Sequence, residues 1–81
     1  MTCTTTLKGH SHHVFSLISL SDYIFASGSE DSSIKIWDIR TKTCLSTLIT
    51  SSDVYSLAKV SEDSIVSSLY SGVLSFYTLD N

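Results

Sequence analysis

Three side chains in the first half of the chain are of the types that form a catalytic triad: His10, Ser27 and Asp31. A histidine can accept the proton of a serine hydroxyl, and a carboxylate can orient that histidine, which is the chemistry of acyl-transferring hydrolases. The G-x-S-x-G turn that exposes the nucleophile in many hydrolases surrounds neither Ser27 nor Ser29. A triad would also leave Trp37 without a role. We therefore predict that the protein is not an enzyme, and a hydrolase using this set is the less favoured alternative.

A second cluster of chemically active side chains lies at residues 10–13, which read His-Ser-His-His. Zinc sites usually draw three or four ligands from separated positions of a chain, whereas these histidines crowd one loop. We expect Cys3 and Cys44 to lie away from that loop, as small apolar side chains of a sheet. We predict no metal and no other cofactor, with His12 and His13 in an exposed loop, and a metal-binding protein is again the alternative.

Composition limits the class of protein further. The 81 residues are 42% hydrophobic and 16% charged, which suits one small packed domain. The net charge is −3 and the five basic residues are scattered, so we predict neither nucleic acid nor a membrane surface as a partner. No apolar run approaches the roughly 20 residues that span a bilayer, and the first residues do not resemble a signal peptide. With only two cysteines, both expected to be reduced, we predict an intracellular protein, cytoplasmic or nuclear.

The pattern of apolar residues predicts an all-β fold. Short apolar runs are bounded by Ser, Asp, Gly and Thr at regular spacing, without a long 3.6-residue period. Several runs are apolar on both faces, which is typical of a sheet packed between neighbouring layers. The predicted strands are Thr2–Leu7, Val14–Leu20, Tyr23–Ser29, Ser33–Ile39, Thr43–Ile49, Val54–Val60, Ser64–Leu69 and Val73–Leu79.

The chain also repeats itself. When it is shifted by about 40 residues, Val14 falls on Val54 and Leu17 on Leu57, and the apolar runs and turns coincide. Before His10 the best shift is one residue longer, so that Thr-Cys at residues 2–3 meets Thr-Cys at residues 43–44. We predict two repeats, residues 2–42 and residues 43–81.

The motifs of the first repeat identify a resemblance. Gly9-His10 lies upstream of an apolar strand that runs into Ser27-Gly28-Ser29, and the strand after the acidic turn ends on Trp37-Asp38. This arrangement resembles the WD-repeat family of β-propellers, whose blades carry Gly-His and Trp-Asp signatures. The resemblance is strong over residues 2–42. It is degenerate over residues 43–81, where Thr50, Ser71 and Tyr77 replace the histidine, aspartate and tryptophan.

Membership of this family would give the polar residues a structural role. In WD repeats a His, a Ser or Thr, an Asp and a Trp form a buried hydrogen-bonded tetrad, which the resemblance places at His10, Ser27, Asp31 and Trp37. A hydrogen-bonded series from Trp37 through Ser27 and His10 to Asp31 can satisfy every polar group. The second repeat keeps no histidine, so we expect its equivalent network, around Ser67, to be weaker or differently connected.

The resemblance implies two four-stranded antiparallel blades and an incomplete ring, because propellers typically have four to eight blades. Two blades alone would leave two apolar faces in water, so we expect a piece of a larger propeller, or a unit that assembles with copies of itself. WD-repeat propellers are interaction scaffolds that seldom catalyse. The expected partners are therefore other proteins or peptides, with no residue marking which ones.

Overall fold

The computed structural model describes residues 1–79, which form two antiparallel sheets. The first sheet has four strands in sequence order: β1 (Val14–Ser19), β2 (Ile24–Ser29), β3 (Ser33–Asp38) and β4 (Thr43–Ile49). The second has three: β5 (Val54–Ser61), β6 (Ser64–Leu69) and β7 (Leu74–Thr78). The all-β, antiparallel prediction is confirmed. The prediction for the second repeat extends to Asp80 and Asn81, which lie outside the described residues.

Short turns join the strands, and the residues of three of these turns explain where β2, β3 and β6 end. Asp38, the last residue of β3, accepts hydrogen bonds through Oδ1 from the backbone N–H of Arg40 at 2.8 Å and from that of Thr41 at 3.4 Å. Ser32, in the turn between β2 and β3, has a φ of 63°, and Gly72 has a φ of 88° at the equivalent place between β6 and β7. Asp and Ser favour such turns because their side chains bond to nearby backbone groups.

The hydrophobic core lies between the two sheets. Ala26, Ile34 and Ile36 of the first sheet are buried together with Val54, Leu57, Ile65 and Leu69 of the second. The sheets approach closely at Gly28, where an added Cβ would lie 2.5 Å from Val54 Cγ1. A hydrogen bond also joins the two sheets, in which the Leu57 N–H of β5 donates to Ser16 Oγ of β1 at 3.0 Å. The second sheet is therefore held by packing against one face of the first.

Two sequence predictions about the strands are wrong. Residues Thr2–Leu7 do not form a strand, and the second sheet has three strands in place of four. Thr4, Thr5 and Leu7 line a cavity with Phe25 and Ile39, so this segment lies against the first sheet and pairs with no strand edge. The other seven strands are present, with ends that differ from the predictions by no more than one residue.

The outer face of the second sheet is apolar and exposed. Leu74 and Phe76 of β7 are 63% and 69% exposed. Phe76 is paired with Val66, which alternates along β6 with the buried Ile65, so Phe76 faces away from the core. Over residues 1–79, no helix has the length and apolar character needed to cross a membrane.

Candidate functional site

The structure brings His10, Ser27, Asp31 and Trp37 together at the first sheet. His10 precedes β1, Ser27 lies in β2, Asp31 occupies the turn between β2 and β3, and Trp37 lies near the end of β3. Phe25 and Trp37 are paired across β2 and β3, two residues along the sheet from Ser27. Since alternate residues of a strand share a face, this register puts the Trp37 and Ser27 side chains on the same side.

Hydrogen bonds connect the four side chains in one series. The Trp37 indole Nε1–H donates to Ser27 Oγ at 2.8 Å, and Ser27 Oγ lies 2.5 Å from His10 Nε2. His10 Nδ1 lies 2.9 Å from Asp31 Oδ2. A carboxylate only accepts and an indole only donates, so the Nδ1–H of His10 donates to Asp31. Ser27 then donates to the Nε2 lone pair, and every group in the series is satisfied.

Asp31 receives further hydrogen bonds that favour its charged form. Ser33 Oγ donates to Asp31 Oδ1 at 2.5 Å, and the backbone N–H of Ser11 donates to Oδ2 at 3.1 Å. Burial raises the pKa of Asp31, but the hydrogen bonds from Ser33, His10 and Ser11 outweigh it and lower the pKa from 3.8 to about 2. The carboxylate is therefore ionised at neutral pH and ties the segment before β1 to the β2–β3 turn.

Burial decides what this arrangement can do chemically. Ser27, His10 and Asp31 are connected in the order of a catalytic triad, yet Ser27 is only 2% exposed. Its Oγ already accepts the indole N–H of Trp37, which is itself 6% exposed. A nucleophile must reach a substrate carbonyl, and a hydroxyl enclosed in this way cannot. The geometry suits a buried network that holds the sheet together.

Sequence reasoning missed two serines that support the site. Ser33 contacts Asp31 and also lies 3.3 Å from His10 Nδ1. Ser29 Oγ donates to the carbonyl of His13 at 2.9 Å and accepts the Asp31 N–H at 3.1 Å. The available signal was the spacing, because serines two residues before and after an aspartate can bond it or its backbone within a turn.

The second repeat has no comparable network among the described residues. Ser67, which is equivalent to Ser27, is fully buried, and its Oγ makes no hydrogen bond. Thr50 stands in the place of His10 but donates its hydroxyl to the carbonyl of Ser52 at 2.8 Å. Ser52 in turn donates its hydroxyl to Ser71 Oγ at 3.2 Å. The second repeat therefore lacks the connected series, because the Thr50 side chain is too short to span the distance that the His10 imidazole spans in the first repeat.

The remaining candidate groups lie on the surface. His12 is exposed, and the exposed His13 has Nδ1 at 3.4 Å from Glu30 Oε2. Within residues 1–79 no group of three metal-binding side chains comes together. Cys3 and Cys44 are free and exposed, and Cys3 lies outside any strand, so the expectation that both are small apolar residues of a sheet is wrong. Their exposure follows from the outer position of β4 and of the segment at residues 2–7.

Comparisons with known proteins agree with this arrangement. The family model described as "WD domain, G-beta repeat" matches residues 1–38, which include all four residues of the network. Over 45 residues, 56% of this chain, the sequence is 47% identical to a probable E3 ubiquitin ligase complex SCF subunit, scon-2, of Neurospora crassa. It is also 47% identical over 47 residues to the ribosome biogenesis protein YTM1 of Scheffersomyces stipitis.

The chain spans 7% of the length of the first relative and 10% of the second. Among solved structures, the computationally designed Ika4 protein is similar, with a TM-score of 0.80 and 29% identity. That match covers 91% of this chain and 46% of the designed chain, so both sheets, and not the first repeat alone, have a counterpart of known structure.

Proposed function

We propose that this chain, whose residues 1–38 match the WD-repeat family model, is a non-catalytic scaffold for protein–protein interaction and part of a WD-repeat propeller. The buried network carries this proposal, because it joins Trp37, Ser27, His10 and Asp31 into a support with no open reactive group. Two relatives are named as a subunit of a ligase complex and as a ribosome biogenesis protein, which agrees with a role in binding other proteins. The partners are other proteins or peptides, inside the cell.

The role of the four residues belongs to the same proposal. They form a structural tetrad that fixes the first sheet to the segment before it, and residues 2–42 and 43–81 are two repeats of one unit. Since a propeller has typically four to eight blades, the two sheets are part of a larger ring. The exposed Leu74 and Phe76 support this view, because they lie on a face that a further blade would cover.

A paired measurement of activity and stability separates a scaffold from a hydrolase. The full chain and its Ser27→Ala variant are incubated with p-nitrophenyl acetate, and their thermal unfolding is followed in parallel. We expect no hydrolysis above the buffer rate from either protein, together with a lower unfolding temperature for the variant. Hydrolysis that Ser27→Ala abolishes while the variant unfolds as the wild type does would overturn the proposal.

Self-assembly is the second candidate, and one observation favours it. Residues 2–7 read Thr-Cys-Thr-Thr-Thr-Leu and residues 43–48 of β4 read Thr-Cys-Leu-Ser-Thr-Leu. Both cysteines donate to the carbonyl two residues on and lie 3.6 Å from the threonine three residues on. The segment at residues 2–7 thus shares sequence and cysteine contacts with β4, the fourth strand of the first sheet. The second sheet lacks a fourth strand beside β7.

Light scattering coupled to size exclusion tests this second candidate. If residues 2–7 of one copy pair with β7 of the next, we expect a discrete trimer or tetramer, which would supply six or eight blades. Deleting residues 1–7 should then dissolve it. Aggregates without fixed stoichiometry would instead agree with a piece of a larger ring. A compact monomer that unfolds cooperatively would contradict both views of how the apolar faces are covered.

A further inference from the structure

One end of the two sheets carries a row of exposed rings formed by His13, Phe15, Tyr55 and Tyr70, called here the aromatic row. The His13 ring stacks on Phe15 with centroids 6.3 Å apart. Phe15 meets Tyr55 edge to face at 5.5 Å, and Tyr55 meets Tyr70 in the same way at 5.4 Å. Phe15, Tyr55 and Tyr70 are 48%, 47% and 69% exposed, so the row is open to a partner.

The fold holds this row in place from both sheets. Phe15 in β1 and Tyr55 in β5 occupy equivalent positions of the two repeats, and β1 packs beside β5. The Tyr70 N–H donates to the carbonyl of Asp53 at 2.9 Å, which fixes the turn after β6 to the start of β5. The Glu30 N–H makes the matching 2.9 Å bond to the carbonyl of His13. The rings therefore stand on paired strand ends and need little ordering to bind.

Carboxylates accompany the rings. Glu30 lies 3.4 Å from His13 through Oε2 and Nδ1. Partial burial raises the pKa of the Tyr55 hydroxyl, and so do the nearby Tyr70, Asp53 and Glu30. Glu30 is held beside His13, and Asp53 is bonded through its backbone carbonyl to Tyr70, so both acidic residues adjoin the row. A surface that combines ring faces with negative charge attracts cations and repels anions.

The same chain shows how such a surface holds an arginine. Arg40 places its guanidinium carbon 4.5 Å above the centroid of the Tyr23 ring. Its Nη2 lies 3.4 Å from Asp38 Oδ2, so one planar cation is stacked on a ring and paired with a carboxylate. A guanidinium is suited to this double contact because it is planar and less strongly hydrated than an ammonium group.

We propose that the aromatic row, with Glu30 and Asp53 at its sides, binds an arginine side chain presented by a partner protein or peptide. The partner's guanidinium stacks on an exposed ring face of Phe15, Tyr55 or Tyr70 and pairs with a carboxylate, as Arg40 does within this chain. This inference deepens the proposed scaffold function and rests on it, since it names the chemistry that a partner must carry.

Titration with a defined peptide tests the proposal. The probe is acetyl-Gly-Ala-Arg-Ala-Gly-amide, and its control replaces arginine by citrulline, which keeps the shape and removes the charge. Binding is followed by NMR on the aromatic protons of the full chain. We expect shifts confined to the aromatic row, and at least about fivefold weaker binding of the citrulline peptide. The Glu30→Gln variant should weaken arginine binding, and added salt should weaken it further.

Matched variants separate binding from folding. Tyr55→Leu should reduce affinity by about fivefold, and Tyr55→Phe, which keeps the ring, should bind as the wild type does. Phe76→Leu is the control, since Phe76 is as exposed as Tyr70 but lies on β7 away from the row. Equal affinity for both peptides, or equal loss in Tyr55→Leu and Phe76→Leu, would overturn the proposal. Such a failure leaves the scaffold function intact, because the esterase assay tests that function separately.

Discussion

Removing the equivalent serine hydroxyl should destabilise the protein in the first repeat and should not destabilise it in the second. Ser27→Ala takes away the group that accepts from Trp37 and donates to His10, and it leaves an indole N–H and an imidazole nitrogen without partners. Each buried polar group left unsatisfied costs about 1–3 kcal/mol, so for the two groups we expect a loss of about 2–6 kcal/mol. Ser67→Ala removes a fully buried hydroxyl that makes no hydrogen bond, and we expect no loss, or a gain of about 1–2 kcal/mol.

Urea unfolding of the full chain, read by Trp37 fluorescence and far-UV circular dichroism, measures both changes. The pair is well matched because Ser27 and Ser67 lie at equivalent positions of β2 and β6, and both are nearly or fully buried. The two probes should give the same midpoint for each variant, which also shows whether the two sheets unfold together. Equal losses for the two variants, or a larger loss for Ser67→Ala, would refute the reasoning from hydrogen-bond satisfaction.

Three further changes test neighbouring parts of the structure. Trp37→Ala should cost about 3–5 kcal/mol because the indole is buried and bonded, whereas Tyr77→Ala should cost less, and equal losses in urea unfolding would contradict this order. The pKa of Asp31 is lowered to about 2, so its contribution, at most about 2 kcal/mol, is present above pH 4 and lost as the pH falls toward 2. Asp31→Asn should flatten that part of the stability profile between pH 5 and pH 2. Ser32→Gly should stabilise by about 0.5–1 kcal/mol, because Ser32 has a φ of 63° where the second repeat has Gly72, and a lower melting temperature would contradict it.

The sequence could predict most of the strands because their signals are local. Alternating apolar residues and Ser, Asp or Gly turns placed seven strands to within a residue of their ends, as in Ser64–Leu69. The segment Thr2–Leu7 carries the same signal as Thr43–Ile49, and that signal alone predicts a strand there. A strand exists only where a second backbone offers hydrogen bonds, and that partner cannot be read from the segment itself.

The functional residues also divide into those that the sequence predicts and those that depend on packing. His10, Ser27, Asp31 and Trp37 could be named because family motifs place these residue types at recognisable positions, and the structure brings their side chains within hydrogen-bonding distance. The aromatic row could not be predicted as one surface, because its central contact, between Phe15 and Tyr55, forms only when the two repeats pack side by side. Forty residues separate Phe15 from Tyr55, and their contact depends on how β1 approaches β5.

The packing between the sheets also shows that the two repeats are not interchangeable. Val54 and Leu57 fit against Gly28, where even a Cβ would lie 2.5 Å from Val54. Their counterparts in the first repeat, Val14 and Leu17, are 46% and 64% exposed. The first sheet therefore still presents two apolar side chains that could pack against another sheet. The second sheet has Ser68 where the first has Gly28. A further sheet that presents a valine to Ser68 must therefore lie farther from β6 or be shifted along it. A third sheet cannot pack on the second in the same way as the second packs on the first.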